Sequence, residues 1–357
     1  MTLKFCAPGF HDLPYLDKLA QLNQVHGARA RVHEVYGAAP ETGGLHSRHR
    51  ASSPSDNNEF FQYIEHAHGL GIEVNVVINA PVRADMQPHL LGPRLSQLES
   101  MGVDSLTISD PRILMLAGRH AMRTDRVLST IADVTSVRDL RHWQRFGFER
   151  VVPRCDVNRK IGVLQDLVKY SSAAVEILVN LDCVPSCGLS DFHYAETAAR
   201  EGTSTGSLCR DFCSAERLAD TAEFLRSPWV LPEDCEHYAG LGVEYFKVVG
   251  REFPQPDVLA ILAAYLTGQF DGNLIDLLRP VAKQAFVVGD KSLEVTIDTR
   301  DLRATDFMRF FLLDKCRFEC HRCTYCEKHA GLVKTRGSGK VLVLEQELRR
   351  RLTGGTQ

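Results

Sequence analysis

Short runs of β-branched and apolar residues recur along the chain, and each is followed by a stretch with apolar positions at helical spacing. Eight runs read as strands: Leu3 to Ala7, Arg31 to Tyr36, Glu73 to Asn79, Ser105 to Ser109, Arg126 to Ala132, Arg150 to Arg154, Val175 to Asn180 and Tyr245 to Val249. Between them, segments such as Glu59 to Gly69 and Gly92 to Gly102 end in glycine, a normal helix stop. A helix, Gly-Ile/Val, strand pattern repeats at Gly71-Ile72, Gly102-Val103 and Gly242-Val243. Strands alternating with helices imply parallel strands with crossover helices, and eight units predict an α/β fold, a TIM-like (β/α)8 barrel. Trp229 to Leu231 is a ninth short apolar run, either a strand or the approach to a helix over Glu233 to Ala239.

The barrel is expected over residues 1–260, with a helix from Asp257 to Leu266 and a strand-like Leu293 to Ile297 in a connecting segment over 261–303. Residues 304–357 read as a small C-terminal cysteine-rich, metal-binding module. Polar, Gly-rich segments at Ala38 to Asp56 and Ala195 to Gly206 follow candidate strands, on the side of a barrel where chemistry is done. A chain of 357 residues suits one large domain with an appendage. The net charge of -3 gives no overall nucleic-acid footprint. The first residues lack the pattern of a secretory signal, and the longest apolar runs fall short of the roughly 18 residues of a membrane span, so a cytoplasmic protein without membrane insertion is expected.

In a reducing compartment, 11 cysteines point to metal binding or catalysis. Cys316, Cys320, Cys323 and Cys326 lie within eleven residues, close enough for a tight turn to bring four thiols to one ion or cluster. A 4Fe-4S cluster is the first reading and zinc the alternative at these C-terminal cysteines. The first three match the spacing of radical S-adenosylmethionine enzymes, but their place at the C-terminus, Arg322 before Cys323 and the fourth cysteine argue against it. A second constellation comprises Cys183, Cys187, Cys209, Cys213 and Cys235, the two C-x3-C pairs being favoured and Cys235 a substitute ligand. One or two clusters are therefore expected. Cys6 and Cys155 stand alone and read as core residues.

The run Val175 to Asn180 followed by Cys183 and Cys187, the block Ser207 to Cys213, and Pro232 to Cys235 with Gly242 to Arg251 resemble the collagenase-like peptidase U32 family, over roughly residues 1–270. That resemblance implies iron-sulfur relatives that hydroxylate ubiquinone precursors or RNA bases without molecular oxygen. Asn180-Leu181 replaces the family's usual His-Gly, and the first cysteine pair is more closely spaced.

Strand-end residues expected to line a pocket are Asn79, Asp110, Asp156, Asn180, Lys247 and Arg251, with Lys247 and Arg251 anchoring an anionic or carbonyl-bearing substrate. His193 is a further ligand or proton donor, and the stretch His46 to Arg50 a phosphate-binding element. The expected partner is a small-molecule substrate, with a nucleic-acid base as the other substrate class. Two further readings stay open: a U32-type peptidase, although no H-E-x-x-H or G-x-S-x-G occurs, and a non-catalytic iron-sulfur subunit partnering a catalytic homologue.

Overall fold

The computed structural model describes residues 2–40, 56–80, 88–119, 122–199, 208–278, 287–288, 291–337 and 341–352. Strands β1 (Leu3–Pro8), β2 (Ala30–Gly37), β3 (Glu73–Ile78), β4 (Ser105–Ile108), β5 (Asp125–Leu128), β6 (Arg150–Val151), β7 (Ala174–Leu178) and β8 (Tyr245–Lys247) form a closed parallel barrel in sequence order. Closure comes from β1 pairing with β8, Lys4 opposite Tyr245 and Cys6 opposite Lys247. The fold is thus the (β/α)8 barrel that the alternating pattern predicts.

Helices α1 (Leu13–His26), α2 (Asn57–Gly69), α3 (Pro88–Ser100), α4 (Pro111–Arg119), α5 (Val137–Gln144) and α6 (Ile161–Tyr170) cover the first six strands. α2 shows why these segments fold so. The Asp56 side chain caps it by accepting from the Asn58 and Glu59 amides, and Phe60, Tyr63, Ile64 and Ala67 form one buried stripe. At the entry to β8, Gly242 has φ 101, and a Cβ there would lie 2.6 Å from a Val168 methyl. Only glycine meets both demands.

After β7 the chain inserts α7 (Ser190–Ala199), α8 (Leu208–Ala219), α9 (Glu223–Arg226) and α10 (Cys235–Gly240) before reaching β8. The polar segment read from Ala195 is helical as far as Ala199, and Trp229 to Leu231 is not a strand: Val230 donates to the Val179 carbonyl and the chain turns onward. Helix α11 (Gln255–Thr267) completes the eighth unit against α1, so the expected boundary at residue 260 falls inside it. Strands β9 (Val287–Val288), β10 (Lys291–Thr296) and β11 (Lys334–Gly337) form an antiparallel sheet in the order β11-β10-β9. That sheet joins the predicted connecting segment to the predicted tail module. A final helix, Val341–Leu352, packs on α8, and the Asp314 carboxylate accepts from the Gly162 amide at 2.8 Å. The tail is built onto the barrel by these and further contacts, among them Arg226 with Glu327 and Trp229 with Phe307. Among the described residues, no helix is long and apolar enough to cross a membrane.

Alternate strand residues point inward. The outward set packs under the helices, whereas much of the inward set is polar: Glu34, Asn75, Ser105, Thr107, Arg150, Glu176 and Lys247 are all buried. Arg150 grips Glu34 with two nitrogens, at 3.1 and 3.0 Å, and Glu176 at 2.9 Å, while Lys247 reaches Glu176 at 3.3 Å. Two cations thus face two carboxylates. Burial works against the Arg150 charge, but both carboxylates hold its pKa above the ordinary value. Ser105 donates to Glu34, Asn75 to Ser105, and Thr107 to Asn75, so the carboxylate's surroundings are hydrogen-bonded outward to β4.

Arg150→Leu leaves two carboxylates in the barrel with only Lys247 to balance them. Urea unfolding at pH 7 should show a loss of roughly 3–5 kcal/mol, the cost of removing one partner of a buried ion pair.

Candidate functional site

Above the ion network, at the C-terminal ends of the strands, an open cleft of about 630 Å³ is lined by Tyr36, Asn79, Thr107, Ser129, Lys247 and Arg251 among others. Lys247 lies 4.1 Å over the Tyr36 ring, and the Arg251 guanidinium stands 5.6 Å from the same ring. The Tyr36 hydroxyl donates to the Val248 carbonyl at 2.9 Å, which fixes the ring between the two cations. Asn79 donates to the Ser129 hydroxyl at 3.1 Å. The cleft thus presents two cations, Lys247 already paired with Glu176, together with the Glu252 carboxylate and hydrogen-bonding groups, and apolar Val77, Val152 and Leu178 also line it.

Thr130, Ile131 and Tyr194 line this cleft and also a neighbouring recess, so the two open side by side. The recess is walled by Cys155, Cys183, Cys187, Cys209 and Cys213. Their positions follow from local structure. Cys209 and Cys213 are one turn apart on α8, on one face. Cys183 and Cys187 sit on the loop after β7, where Ser186 takes φ 52 and its amide donates to the Asp156 carboxylate at 2.9 Å. Cys155 begins a 3-10 turn, Cys155–Arg159, directly after β6.

Thiol interactions cross these segments. A hydrogen bond with Cys213, opposed by partial burial, lowers the Cys187 pKa to about 7. Cys155 hydrogen-bonds to Cys183, and that contact together with burial pushes its pKa well up. Soft thiols from three segments facing one recess are a donor set suited to zinc or an iron-sulfur cluster.

The sequence-derived candidates separate into three groups. Asn79, Asp156, Lys247, Arg251, His193 and four of the cysteines line the two openings. Asp110 instead opens α4, accepting from the Arg112 backbone and guanidinium at 2.8 and 2.6 Å. Asn180 is fully buried and clips β7 to its neighbours, donating to the Val249 and Leu277 carbonyls and accepting from the Val249 amide. Cys235 lies in the core, its thiol directed at the Leu231 carbonyl and its pKa raised first by burial. It stands apart from the recess, and Cys155, read as a core residue, occupies the fifth position. His46 to Arg50 lie outside the described residues. Tyr36 and Ser129 also line the cleft, at strand ends like Asn79 and Lys247, with no motif in the sequence to mark them.

In the tail, Cys316, Cys320, Cys323 and Cys326 line a second hollow with Arg226, Phe310, Phe311 and Phe318. Burial raises the Cys326 pKa to about 12, with Arg159 and Arg226 pulling the other way. The trio Cys6, Glu34 and Glu176 also brings ligand-type atoms within 4.8 Å, but the Arg150 guanidinium donates to all three and stands where a cation would.

The sequence profile of peptidase family U32 matches residues 19–268. An uncharacterised protease of Methanocaldococcus jannaschii is 27% identical over 328 residues, spanning 88% of this chain and 92% of that protein. The tRNA hydroxylation protein P of Escherichia coli is 33% identical over 102 residues, 27% of this chain and 22% of that protein. A solved U32 peptidase aligns with a TM-score of 0.49 at 14% identity, covering 71% of this chain and 95% of that one.

In reduced, metal-free protein, brief treatment with iodoacetamide at pH 7 should label Cys187 before Cys155, Cys235 and Cys326, because only the thiolate reacts. Peptide mass spectrometry reads the order, and equal labelling of all four would contradict the pKa ordering.

Proposed function

The chain belongs to peptidase family U32, and from that membership we propose that it is a cytoplasmic iron-sulfur enzyme performing oxygen-independent hydroxylation, or a related redox modification, of a small molecule or nucleic-acid base. The observation that carries this reading is the shared wall of Thr130, Ile131 and Tyr194 between the thiol recess and the cleft that holds Lys247 and Arg251. Cys183, Cys187, Cys209 and Cys213 are the residues that would hold the cluster, with Cys155 beside them. When bound, such a cluster supplies one-electron redox chemistry.

The remaining work belongs to side chains. Lys247 and Arg251 would anchor an anionic or carbonyl-bearing substrate, and the Tyr36 ring offers a flat surface for a planar one. Asn79 and Ser129 present an amide and a hydroxyl to orient it. Because Lys247 is tied to Glu176, its ammonium group is held in place before substrate arrives. The partial likeness to a protein named for tRNA hydroxylation supports the redox reading.

Protein purified without oxygen should contain iron and sulfide, about four of each for the recess, and lose them in Cys183→Ser/Cys187→Ser. Iron-free protein that still cleaves peptides would overturn the proposal in favour of hydrolysis. Arg251→Met should keep its iron yet convert substrate roughly 100-fold more slowly, read as anaerobic addition of one oxygen atom, with water as its source and an added two-electron acceptor taking the electrons, to a small molecule or RNA nucleoside.

A further inference from the structure

Arg159 is fully buried, with no solvent exposure. Its Nε and Nη2 donate to the Ser227 carbonyl at 3.1 and 2.8 Å, and Nη1 contacts the Met308 sulfur at 3.0 Å. The guanidinium is sandwiched between Trp229, 4.3 Å away, and Phe311, 4.2 Å away. Every partner is neutral. Among the described residues no carboxylate reaches ion-pair distance of it, and Asp234 acts only from farther off. The other buried arginines are supplied: Arg150 by Glu34 and Glu176, Arg226 by Asp220, Glu223 and Glu327, Arg217 by Asp182 at 3.6 Å. An arginine cannot shed its proton, so a buried one needs an anion nearby.

Besides the buried Asp234 carboxylate, on which Arg159 also acts, a second source of negative charge adjoins Phe311. That ring is a wall of the hollow formed by Cys316, Cys320, Cys323 and Cys326, and Cys316 and Cys326 pack against the core cluster to which Phe311 belongs. As neutral thiols these four bring no charge. As four thiolates around a zinc ion or a 4Fe-4S cluster they carry a net charge of about minus two. We propose that the tail cysteines hold one metal-tetrathiolate centre and that Arg159, reaching from the barrel, is its buried counter-cation and positioning residue. Zinc and iron-sulfur centres share this chemistry. The metal then completes the barrel's own charge balance through a residue that also holds Ser227 in place.

The test uses the full chain purified anaerobically, with zinc, iron and sulfide measured in wild type and in Cys320→Ser/Cys323→Ser. Loss of about one zinc, or of about four iron with four sulfide, supports the proposal and identifies the metal; no loss of either overturns it, whatever the barrel-mouth thiols bind. Arg159→Met, close in volume, should release the tail metal to a chelator with affinity lowered roughly 10- to 100-fold, while its metal-free form is at least as heat-stable as metal-free wild type. Unchanged affinity, or equal destabilisation with and without metal, would make Arg159 a hydrogen-bonding post for Ser227 and refute the assignment. If Arg159→Met does not accumulate, wild type and Arg159→Lys decide. Both should lose thermal stability when chelated, and a midpoint indifferent to metal would overturn the proposal.

Discussion

The barrel is organised around Arg150. A guanidinium at its centre, gripping Glu34 on β2 and Glu176 on β7, ties strands that are not neighbours, and Lys247 on β8 joins through Glu176. Barrels of this kind usually fill their interior with branched apolar side chains. Here the lower layers are charged and hydrogen-bonded instead, which costs desolvation but fixes the strands in one register. The same network supplies the floor of the cleft, since Lys247 belongs to both.

Strand positions were legible because parallel strands buried on both faces read as apolar runs, and all eight appear close to where the pattern puts them. Their ends were less so. β5 stops at Leu128 because Ser129 caps a 3-10 turn, and β6 is cut to two residues where Pro153 can donate no hydrogen bond. A period of two reveals which residues share a face but not which of them meet, so Glu34, Arg150 and Glu176 did not show themselves as a network.

The site divides in the same manner. Cys209 and Cys213 were readable because helical spacing places them on one face. Cys155 and Cys235 could be exchanged because sequence distance says nothing about direction: one begins a turn at the barrel mouth, the other begins α10 with its sulfur in the core. Asp110 and Asn180 occupy strand-end positions too, where Asp110 accepts from Arg112 at the start of α4 and Asn180 bonds the Val249 and Leu277 backbone. The turn Cys155–Arg159 begins with a thiol of the recess and ends, about 8 Å further along at the usual 3-10 rise, with the guanidinium that packs on Phe311 of the tail hollow. It is a rigid element common to both.

Closure by β1 against β8 sets a condition on biosynthesis. Lys4 and Tyr245, which share a hydrogen bond, are 241 residues apart, so at ribosomal speed the first strand waits roughly 12–48 s for its last partner. During that interval its edge is an unpaired template for other chains. The barrel therefore closes only once β8 has left the ribosome, and the Asp314 contact to α6 arrives later still.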